Sequence, residues 1–463
     1  MALQFYNTLG RKKEVFKELV KGKVSMYSCG PTVYNYVHLG NLRAYVFVDL
    51  LRRYLKYKGF ELKHVMNITD VDDKTIKNSK NEGKTLKEFT DFYTEKFLED
   101  MKTLNIEIPK IMPKAVDTIQ EMVDLVKKLL DKGVAYKSDD GSIYFSIEKF
   151  KDYGKLALLD LEKLKEGASG RVSSDEYEKE SAHDFALWKS YSEDDGDVFW
   201  ETELGKGRPG WHIECSAMST KFLGETIDIH TGGIDLIFPH HTNEIAQSEC
   251  ASGKEFVKYW LHNEHLIVNG EKMSKSLGNF YTLRDLLNKG YNTMAIRYEL
   301  LSTHYRQKLD FGEDRLKQIP ETLQKFYDFL DKLDEADGSG QDISGLISEA
   351  EKKFEESLDD DLNISGALAA VFDFMKEINK VMPELSKDNA DKVKQTMEKF
   401  DSVLGIMQHE KTEVPKEIQE LADKREQARK DKDFATADKL RDELKEKGYV
   451  IEDTDKGPRV KKV

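Results

Sequence analysis

A strand, a helix and a second strand follow one another near the start of the chain, and this order limits the possible folds more than any other feature. Residues 23–29 are short, β-compatible and end at a Gly-Pro turn signal. Apolar residues then recur at helical spacing from Leu42 to Tyr57, Gly59 is placed to end that helix, and residues 61–68 have the pattern of a second strand. Two such strands lie parallel, with a right-handed crossover between them. The sequence therefore predicts an α/β fold with a Rossmann-like parallel sheet.

The rest of the chain suggests additional domains, since 463 residues are enough for about three. A charged, irregular stretch at about residues 104–200 separates the first strands from a third strand-like segment near residues 226–230. Within that stretch we expect a helix at residues 116–130 and a hairpin at residues 134–147. After about Tyr291 the spacing of apolar residues becomes almost wholly helical. The chain therefore predicts a sheet interrupted by an inserted subdomain, followed by a helical bundle and a small C-terminal module.

Composition narrows the class of protein. No apolar stretch approaches the roughly 18 residues that a bilayer span needs, and the N-terminus has no apolar signal-peptide core. Three cysteines (Cys29, Cys215 and Cys250) are too few for a disulfide framework, so we expect a cytoplasmic protein without membrane contact. The net charge of −14 argues against general coating of nucleic acid but allows a confined basic face. Residues 424–463, with 13 Lys and Arg against 10 Asp and Glu, are a candidate for that face, and a solvated charged tail is the alternative.

Residues 31–41 lie between the first strand and its helix, where parallel sheets bind ligands. A helix N-terminus offers unpaired N–H groups and the positive end of a dipole, and both favour phosphate. Gly40 has no Cβ to keep a nucleotide from the backbone, His38 supplies a donor for a phosphoryl oxygen, and Asn41 adds an uncharged amide. A surface histidine beside an ordinary helix cap is the alternative interpretation.

Two lysines three positions apart, Lys272 and Lys275, lie in a Ser- and Gly-containing loop at residues 272–279. Such a pair suits a mobile clamp on a triphosphate, because positive charge stabilises the transition state as pyrophosphate leaves. A solvated basic loop is the alternative. The order of the two motifs, a helix-start motif followed downstream by a lysine loop, favours nucleotide binding.

Four residues of metal-ligand type are spread over three segments: Cys29, Cys215, His240 and Glu244. If Pro239 starts a helix, His240 and Glu244 lie one turn apart on the same face, and His241 competes at three residues from Glu244. Two thiolates, an imidazole and a carboxylate make a tetrahedral zinc set. Each residue also has a structural alternative, since cysteine is often a small core residue and glutamate often a charge on a helix face.

Both phosphate motifs resemble the signatures of class I aminoacyl-tRNA synthetases. His38, Leu39, Gly40 and Asn41 stand for the usual His-x-Gly-His, and the lysine motif matches in full. Longer segments resemble the cysteinyl-tRNA synthetase family, and they begin at Cys29, Asn67, Gly210, His230 and Tyr259. A weaker likeness continues at residues 359–363 and near the C-terminus, so the resemblance covers most of the chain.

The resemblance implies an enzyme that activates L-cysteine with Mg-ATP and transfers it to tRNA(Cys). It also implies one zinc ion per chain, held by Cys29, Cys215, His240 and Glu244. Because zinc prefers thiolate to hydroxyl, it would select cysteine over serine without an editing site. The implied catalytic residues are His38, Asn41, Lys272 and Lys275. The implied ATP contacts are His38, Gly40, Asn41, Asp235 and Lys275, and the implied substrate contacts are Gly30, Thr69, Trp211 and Asp235. His212 and His230 receive no role, and Cys250 is expected to be structural.

Two departures from the family pattern affect these expectations. Asn41 replaces the second signature histidine, so its share in stabilising charge is open. The last residues lack the tryptophan that family tails often carry, which leaves contact between the tail and tRNA equally open.

The resemblance also assigns a function to each expected domain of a protein that we expect to be a monomer. The domains are the first half of the catalytic domain (1–110), an inserted subdomain (111–205), the second half with the lysine loop (206–290), a helical stem-contact connector (291–340), a helical anticodon-binding bundle (341–410) and a small tRNA-contacting module (411–463). Truncation after about Asp310 is expected to spare adenylate formation and weaken tRNA charging. A cysteine ligase with a small amine acceptor is one rival, although it has no need of a distant helical region. A catalytically silent tRNA- or zinc-binding protein is another, although it has no need of both phosphate motifs.

Overall fold

Residues 1–407 and residues 408–463 form separate units of the structure. The structure is a computed structural model that describes residues 2–159, 184–274, 277–408, 415–454 and 457–462. Among these residues, no helix combines the length and the apolar character needed to cross a membrane.

Strands and helices alternate through the first unit. Its strands are β1 (Gln4–Asn7), β2 (Lys12–Val15), β3 (Lys23–Ser28), β4 (Glu61–Met66), β5 (Ala135–Lys137), β6 (Ile143–Phe145), β7 (Phe185–Ser190), β8 (Trp200–Thr202), β9 (Gly205–Pro209), β10 (Ile227–Gly233), β11 (Val257–Asn263), β12 (Leu266–Val268), β13 (Glu271–Lys272) and β14 (Leu309–Phe311). Its α-helices are α1 (Leu39–Tyr57), α2 (Asp73–Asn81), α3 (Leu86–Thr103), α4 (Ile119–Asp131), α5 (Trp211–Leu223), α6 (Thr242–Ser252), α7 (Leu283–Asn288), α8 (Thr293–Ser302), α9 (Glu313–Asp334), α10 (Ser344–Asp359), α11 (Ile364–Val381) and α12 (Lys387–Leu404).

A four-stranded parallel sheet has the strand order β11, β10, β3, β4. The predicted β-α-β unit is β3, α1 and β4, so the α/β fold class is confirmed. α1 begins at Leu39, three residues before the predicted Leu42, because His38 caps it. β10 is buried over residues 227–232, as expected of a strand that is covered on both faces.

An antiparallel sheet lies between β4 and β10 in the chain, with the strand order β5, β6, β7, β9, β8. Its first two strands are the predicted hairpin, in which Ala135 pairs with Phe145. The predicted helix is α4, which follows a short 3-10 turn at Ala115–Thr118. The insertion into the parallel sheet is therefore confirmed, although its residues 160–183 lie outside the described part of the chain.

The helices α8 to α12 confirm the helical character of the chain after Tyr291. Within the first unit the exception among the described residues is β14, which pairs in parallel with β12 through the buried residues Leu309 and Phe311. One apolar cluster joins α1 with the bundle helices and includes Leu50, Phe326 and Phe400. The bundle therefore packs on the helix that the first β-α-β unit contributes.

The second unit contains α13 (Lys416–Lys430), α14 (Phe434–Glu446) and a hairpin of β15 (Tyr449–Thr454) and β16 (Gly457–Lys462). Ile418, Ala422 and Leu444 form its small buried core. The hairpin is antiparallel, with Ile451 opposite Val460.

Candidate active site and metal centre

Loops that follow three strands meet at the carboxyl edge of the parallel sheet. Cys29 follows β3, Thr69 follows β4, and Asp235 follows β10. Backbone bonds extend the sheet pairing, since Cys29 N donates to Thr231 O at 3.3 Å and Thr69 N donates to Pro31 O at 3.0 Å. Thr69 is buried and Asp235 is exposed. This edge is where open parallel sheets bind ligands.

Four predicted metal ligands come together behind this edge. One ligand atom from each of Cys29, Cys215, His240 and Glu244 lies within 4.8 Å of all the others, and we call these side chains the donor cluster. Cys215 comes from α5, Glu244 from the first turn of α6, and His240 from an irregular turn at Ile237–His241. His240 Nε2 lies 3.1 Å from Glu244 Oε1, so the expected one-turn relation holds although the regular helix starts at Thr242 rather than at Pro239. Two sulfurs, a nitrogen and an oxygen fit a metal of the zinc type.

A second set of donors shares two residues with the donor cluster. Cys29, His230, His241 and Glu244 also have ligand atoms within 4.8 Å of one another. The sequence raised His241 as a competitor but not His230. The sequence carries no signal for His230, because its approach to Cys29 and Glu244 depends on the pairing of β10 with β3 in the folded chain.

Three further histidines contact members of the donor cluster. His241 Nε2 lies 3.3 Å from Cys29 Sγ, and His230 Nε2 lies 3.0 Å from Glu244 Oε2. The third contact joins His212 Nδ1 and His240 Nδ1 at 3.0 Å. Each of these three ligands therefore has a histidine beside it that can fix its orientation.

A hydrogen-bonded chain fixes the orientation of His241. His241 Nδ1 lies 2.7 Å from His262 Nε2, and His262 Nδ1 lies 2.8 Å from Thr8 Oγ1. If Thr8 O–H donates to His262, each neutral ring donates to the next, and His241 presents an Nε2–H to Cys29.

The charges of the donor cluster depend on one another. Burial disfavours ionisation of Cys215, but its hydrogen bond with Cys29 and the nearby His240 lower the pKa of its thiol to about 6. Burial likewise opposes charge on Glu244, yet His230 and His240 lower the pKa of that carboxyl to about 2. Burial also opposes charge on His240, but Glu244 and Cys215 raise its pKa to about 10. Burial and the neighbouring Cys215 raise the pKa of the Cys29 thiol. The cluster thus stabilises positive charge between its acidic side chains. Without a metal that charge is the proton on the His240 ring, and a metal ion can replace it.

The N-terminus of α1 carries the predicted phosphate motif. His38 Nδ1 accepts from Asn41 N at 3.3 Å, and Asn41 Oδ1 accepts from His38 N at 3.3 Å, so the two residues cap the helix reciprocally. Because Nδ1 is the acceptor, the neutral ring carries its proton on Nε2, and the Asn41 amide keeps its NH₂ group as a donor. Leu39 N donates to Tyr281 O at 3.0 Å, whereas Gly40 N–H has no hydrogen-bond partner in the described part of the chain. A Cβ on Gly40 would lie 2.9 Å from the His38 ring.

The lysine loop lies against this helix start. Lys272 ends β13, and Met273 Cε is 3.6 Å from the position of a Cβ on Gly40. The ring centroids of Phe280 and His38 are 5.4 Å apart. The two predicted phosphate motifs are therefore neighbours, while Lys275 lies outside the described residues.

The remaining predicted residues surround the donor cluster. Trp211 stacks on His240, with ring centroids 4.2 Å apart. Gly30 N donates to Asn67 Oδ1 at 2.8 Å, and Thr69 Oγ1 donates to Glu214 Oε2 at 2.9 Å.

Sequence reasoning missed Asn67 and Glu214, because their partners lie far away along the chain. Cys250 is partly buried in α6 and belongs to neither set of donors found among the described residues.

Three protein families match successive parts of the chain. They are described as tRNA synthetases class I (C) catalytic domain (residues 15–321), DALR domain (residues 353–408) and Cysteinyl-tRNA ligase anticodon binding domain (residues 411–460).

Similar proteins match the whole length. The cysteine–tRNA ligase of Protochlamydia amoebophila is 51% identical, with 99% of this chain and 98% of that protein covered. The cysteine–tRNA ligase of Brachyspira hyodysenteriae is 49% identical, with 99% of each covered.

Solved structures share the fold at low identity. Mycobacterium tuberculosis methionyl-tRNA synthetase in complex with methionyl-adenylate aligns with a TM-score of 0.60 at 14% identity, covering 83% of this chain and 90% of that one. A LeuRS–tRNA complex from Agrobacterium radiobacter aligns with a TM-score of 0.61 at 11% identity, covering 85% of each chain. At such identities the likeness supports the class I fold.

Proposed function

The chain belongs to the cysteine–tRNA ligase family, and from this premise we propose that the donor cluster holds one zinc ion that selects the substrate by its thiolate. The enzyme activates L-cysteine with ATP and transfers it to tRNA(Cys). The cysteine carboxylate attacks the α-phosphorus of ATP, and pyrophosphate leaves. The terminal adenosine of the tRNA then accepts the cysteinyl group, and AMP leaves.

The carrying observation for zinc is the convergence of four donors within 4.8 Å. A bound zinc ion supplies a soft Lewis acid that prefers thiolate to hydroxyl, which a pocket based on shape discriminates poorly. The protein contributes preorganised donors, and the low pKa values of Cys215 and Glu244 keep both ready to bind a cation.

We assign the metal to Cys29, Cys215, His240 and Glu244 rather than to the set with His230 and His241. With Thr8 O–H as the donor to His262, the chain leaves His241 Nε2 protonated, so that it donates to a Cys29 thiolate. His230 Nε2 similarly forms a hydrogen bond with the Glu244 carboxylate. In both roles a histidine supports a ligand without being one.

The substrate amino acid lies, in this proposal, between the donor cluster and the carboxyl edge of the sheet. Thr69 and Asp235 accept from the substrate ammonium, and Gly30 allows close approach of the backbone. Trp211 closes over the substrate side chain, and its stacking on His240 supports that role.

Mg-ATP binds at the start of α1. Gly40 N–H and the Nε2–H of His38 donate to phosphate oxygens, and the amide of Asn41 adds a third donor. Lys272 and Lys275 neutralise charge as pyrophosphate leaves, and Asp235 accepts from a ribose hydroxyl in its second role. No protein nucleophile takes part, so catalysis consists of positioning and charge stabilisation.

The C-terminal families imply that the protein binds tRNA. We propose that the bundle at 341–410 and the module at 411–463 contact the anticodon region, and that the connector at 291–340 contacts the stem. The catalytic halves at 1–110 and 206–290 flank the insertion at 111–205. We also propose a monomer in the cytoplasm, where reducing conditions preserve the thiols.

The test combines elemental analysis with ATP–pyrophosphate exchange on cysteine and serine. We expect about one zinc per chain. We also expect a preference for cysteine of about 10⁴-fold, which is well above the discrimination that a pocket based on shape alone achieves against a close analogue. Removing zinc with a chelator is expected to abolish the preference. A metal-free fresh enzyme, or serine used as well as cysteine, would contradict the zinc assignment.

A further inference from the structure

A chain of hydrogen bonds connects the two segments that carry the cysteines of the donor cluster. Gly30 N donates to Asn67 Oδ1 at 2.8 Å, and Asn67 Nδ2 donates to Thr69 Oγ1 at 3.1 Å. Thr69 Oγ1 then donates to Glu214 Oε2 at 2.9 Å. Gly30 is adjacent to Cys29 and Glu214 is adjacent to Cys215, so the chain runs across the floor of the site.

The backbone N–H of Gly30 fixes the direction of the first two bonds in this chain. Since the backbone N–H of Gly30 is only a donor, it takes the amide oxygen of Asn67 and turns the NH₂ group towards Thr69. The hydroxyl of Thr69 accepts that bond and donates its single proton to Glu214 Oε2. One lone pair of Thr69 Oγ1 is then left to accept from another donor. An ammonium group can be that donor, because it has N–H groups and no lone pair.

The backbone around Thr69 allows little rearrangement. Thr69 N donates to Pro31 O at 3.0 Å, and Thr69 O accepts from Val33 N at 3.1 Å. A Cβ on Gly30 would lie 1.7 Å from Asn67 O, so the close approach of these segments requires glycine. The direction of the hydroxyl proton is therefore the remaining freedom, and Glu214 controls it.

Burying Glu214 at this position lowers the stability of the fold. It is 1% exposed, and its Oε1 has no hydrogen-bond partner within the described ranges. A buried oxygen without a partner destabilises a fold, whereas an apolar side chain of similar size would not. Stability does not explain Glu214, and its bond to Thr69 connects it with the substrate.

We propose that Glu214 is a positioning residue that orients the Thr69 hydroxyl so that its free lone pair accepts from the ammonium group of the cysteine substrate. The inference rests on the proposed function, because it assigns the ammonium group to Thr69. Glu214 touches the substrate only through Thr69, so its effect falls on cysteine binding rather than on phosphoryl chemistry.

The test replaces Glu214 with methionine, which keeps the length and removes the acceptor, and with glutamine, which keeps an acceptor. For Glu214→Met we expect KM for cysteine in pyrophosphate exchange to rise about tenfold, with kcat within about twofold and zinc content unchanged. Glu214→Gln should stay within about threefold of the wild type. Inhibition by 3-mercaptopropionate, which has the thiol but no ammonium, should be the same in all three proteins.

Thr69→Val provides a second route, because it removes the hydroxyl that Glu214 orients and leaves Glu214 in place. It should raise KM for cysteine as Glu214→Met does, and adding Glu214→Met to it should cause no further change. Equal weakening of cysteine and 3-mercaptopropionate, loss of zinc from Glu214→Met, or additive effects in the double variant would overturn the inference. A wild type without cysteine-dependent exchange would instead overturn the proposed function, so the two failures are distinguishable.

Discussion

The histidines around the donor cluster differ in their second contacts. His230 Nε2 contacts Glu244, while its Nδ1 has no partner in the described residues and its ring stacks on Trp260. His241 instead has a partner at both nitrogens, Cys29 on one side and His262 on the other. Ligand and supporting histidine are therefore distinguished by contacts that come from several elements, and residue type alone does not reveal them.

Replacing His230 tests this distinction. We expect His230→Phe to lower zinc affinity between about tenfold and a hundredfold, because Glu244 Oε2 loses its donor. Competition with a chromogenic chelator measures the affinity, and His265→Phe, at an exposed position, is the control. If His230→Phe binds no zinc at all while Cys215→Ser keeps it, the second donor set holds the metal.

Asp70 provides a pH-dependent prediction away from the ligands. Burial raises the pKa of this carboxyl to about 6, although it accepts from Val116 N at 3.0 Å. The folded state thus binds the proton more tightly than the unfolded state, so ionisation destabilises the fold as pH rises from about 4 through 6. Asp70→Asn removes the charge and keeps an acceptor for Val116.

The gain from Asp70→Asn should be about 3 kcal/mol at pH 7.5 and about half of that at pH 5, since one pKa unit corresponds to about 1.4 kcal/mol. Thermal unfolding at the two pH values measures it, and Asp117→Asn, which is exposed, should change little. An equal gain at both pH values would mean that Asp70 does not titrate in this range.

At the scale of elements, the sequence predicts best where the signal is local. β3, α1 and β4 follow from turn signals and helical spacing, and they meet their predicted positions within a few residues. β14 was missed, because three residues pair as a strand only when β12 lies beside them. The four ligands are likewise visible as residue types, but Glu214 and Asn67 acquire their roles from partners that only the folded chain brings near.

Consecutive aspartates at the end of α10 connect separate elements to the bundle. Asp361 is fully buried and accepts from Tyr6 N at 2.8 Å, from Tyr305 Oη at 2.5 Å and from Arg306 Nε at 2.7 Å. Asp360 pairs with Lys13 near the surface. Their different burial predicts different contributions to stability.

We expect Asp361→Asn to lower the free energy of unfolding by about 3 kcal/mol, because three donors lose the buried carboxylate that accepts from them. Asp360→Asn, the neighbouring control, should cost less than about 1 kcal/mol, as surface pairs do. Urea denaturation followed by fluorescence compares the two. Similar losses from both variants would indicate that Asp361 has no special part in joining the elements.

The division of the chain into two units predicts where it can be truncated while the first unit stays whole. One apolar cluster joins the sheet, α1 and the bundle, and Arg297 of α8 binds Asp49 of α1 at 2.6 Å. Arg297 also donates to Leu404 O, at the end of α12. A cut after about Asp310 would remove partners of α1, so the structure argues against the expectation that such a fragment forms adenylate.

A chain that ends at Met407 keeps the whole first unit, whereas the second unit has its own small core. We therefore expect this truncation to retain pyrophosphate exchange within about threefold of the full chain. Charging of tRNA(Cys) should fall about a hundredfold, the equivalent of losing roughly 3 kcal/mol of binding. This loss should appear as a higher KM for tRNA rather than a lower kcat, because the reacting groups stay in place. A chain ending at Asp310 is the control and should fail in both assays. Full charging by the chain that ends at Met407 would mean that residues 408–463 contribute nothing to tRNA binding.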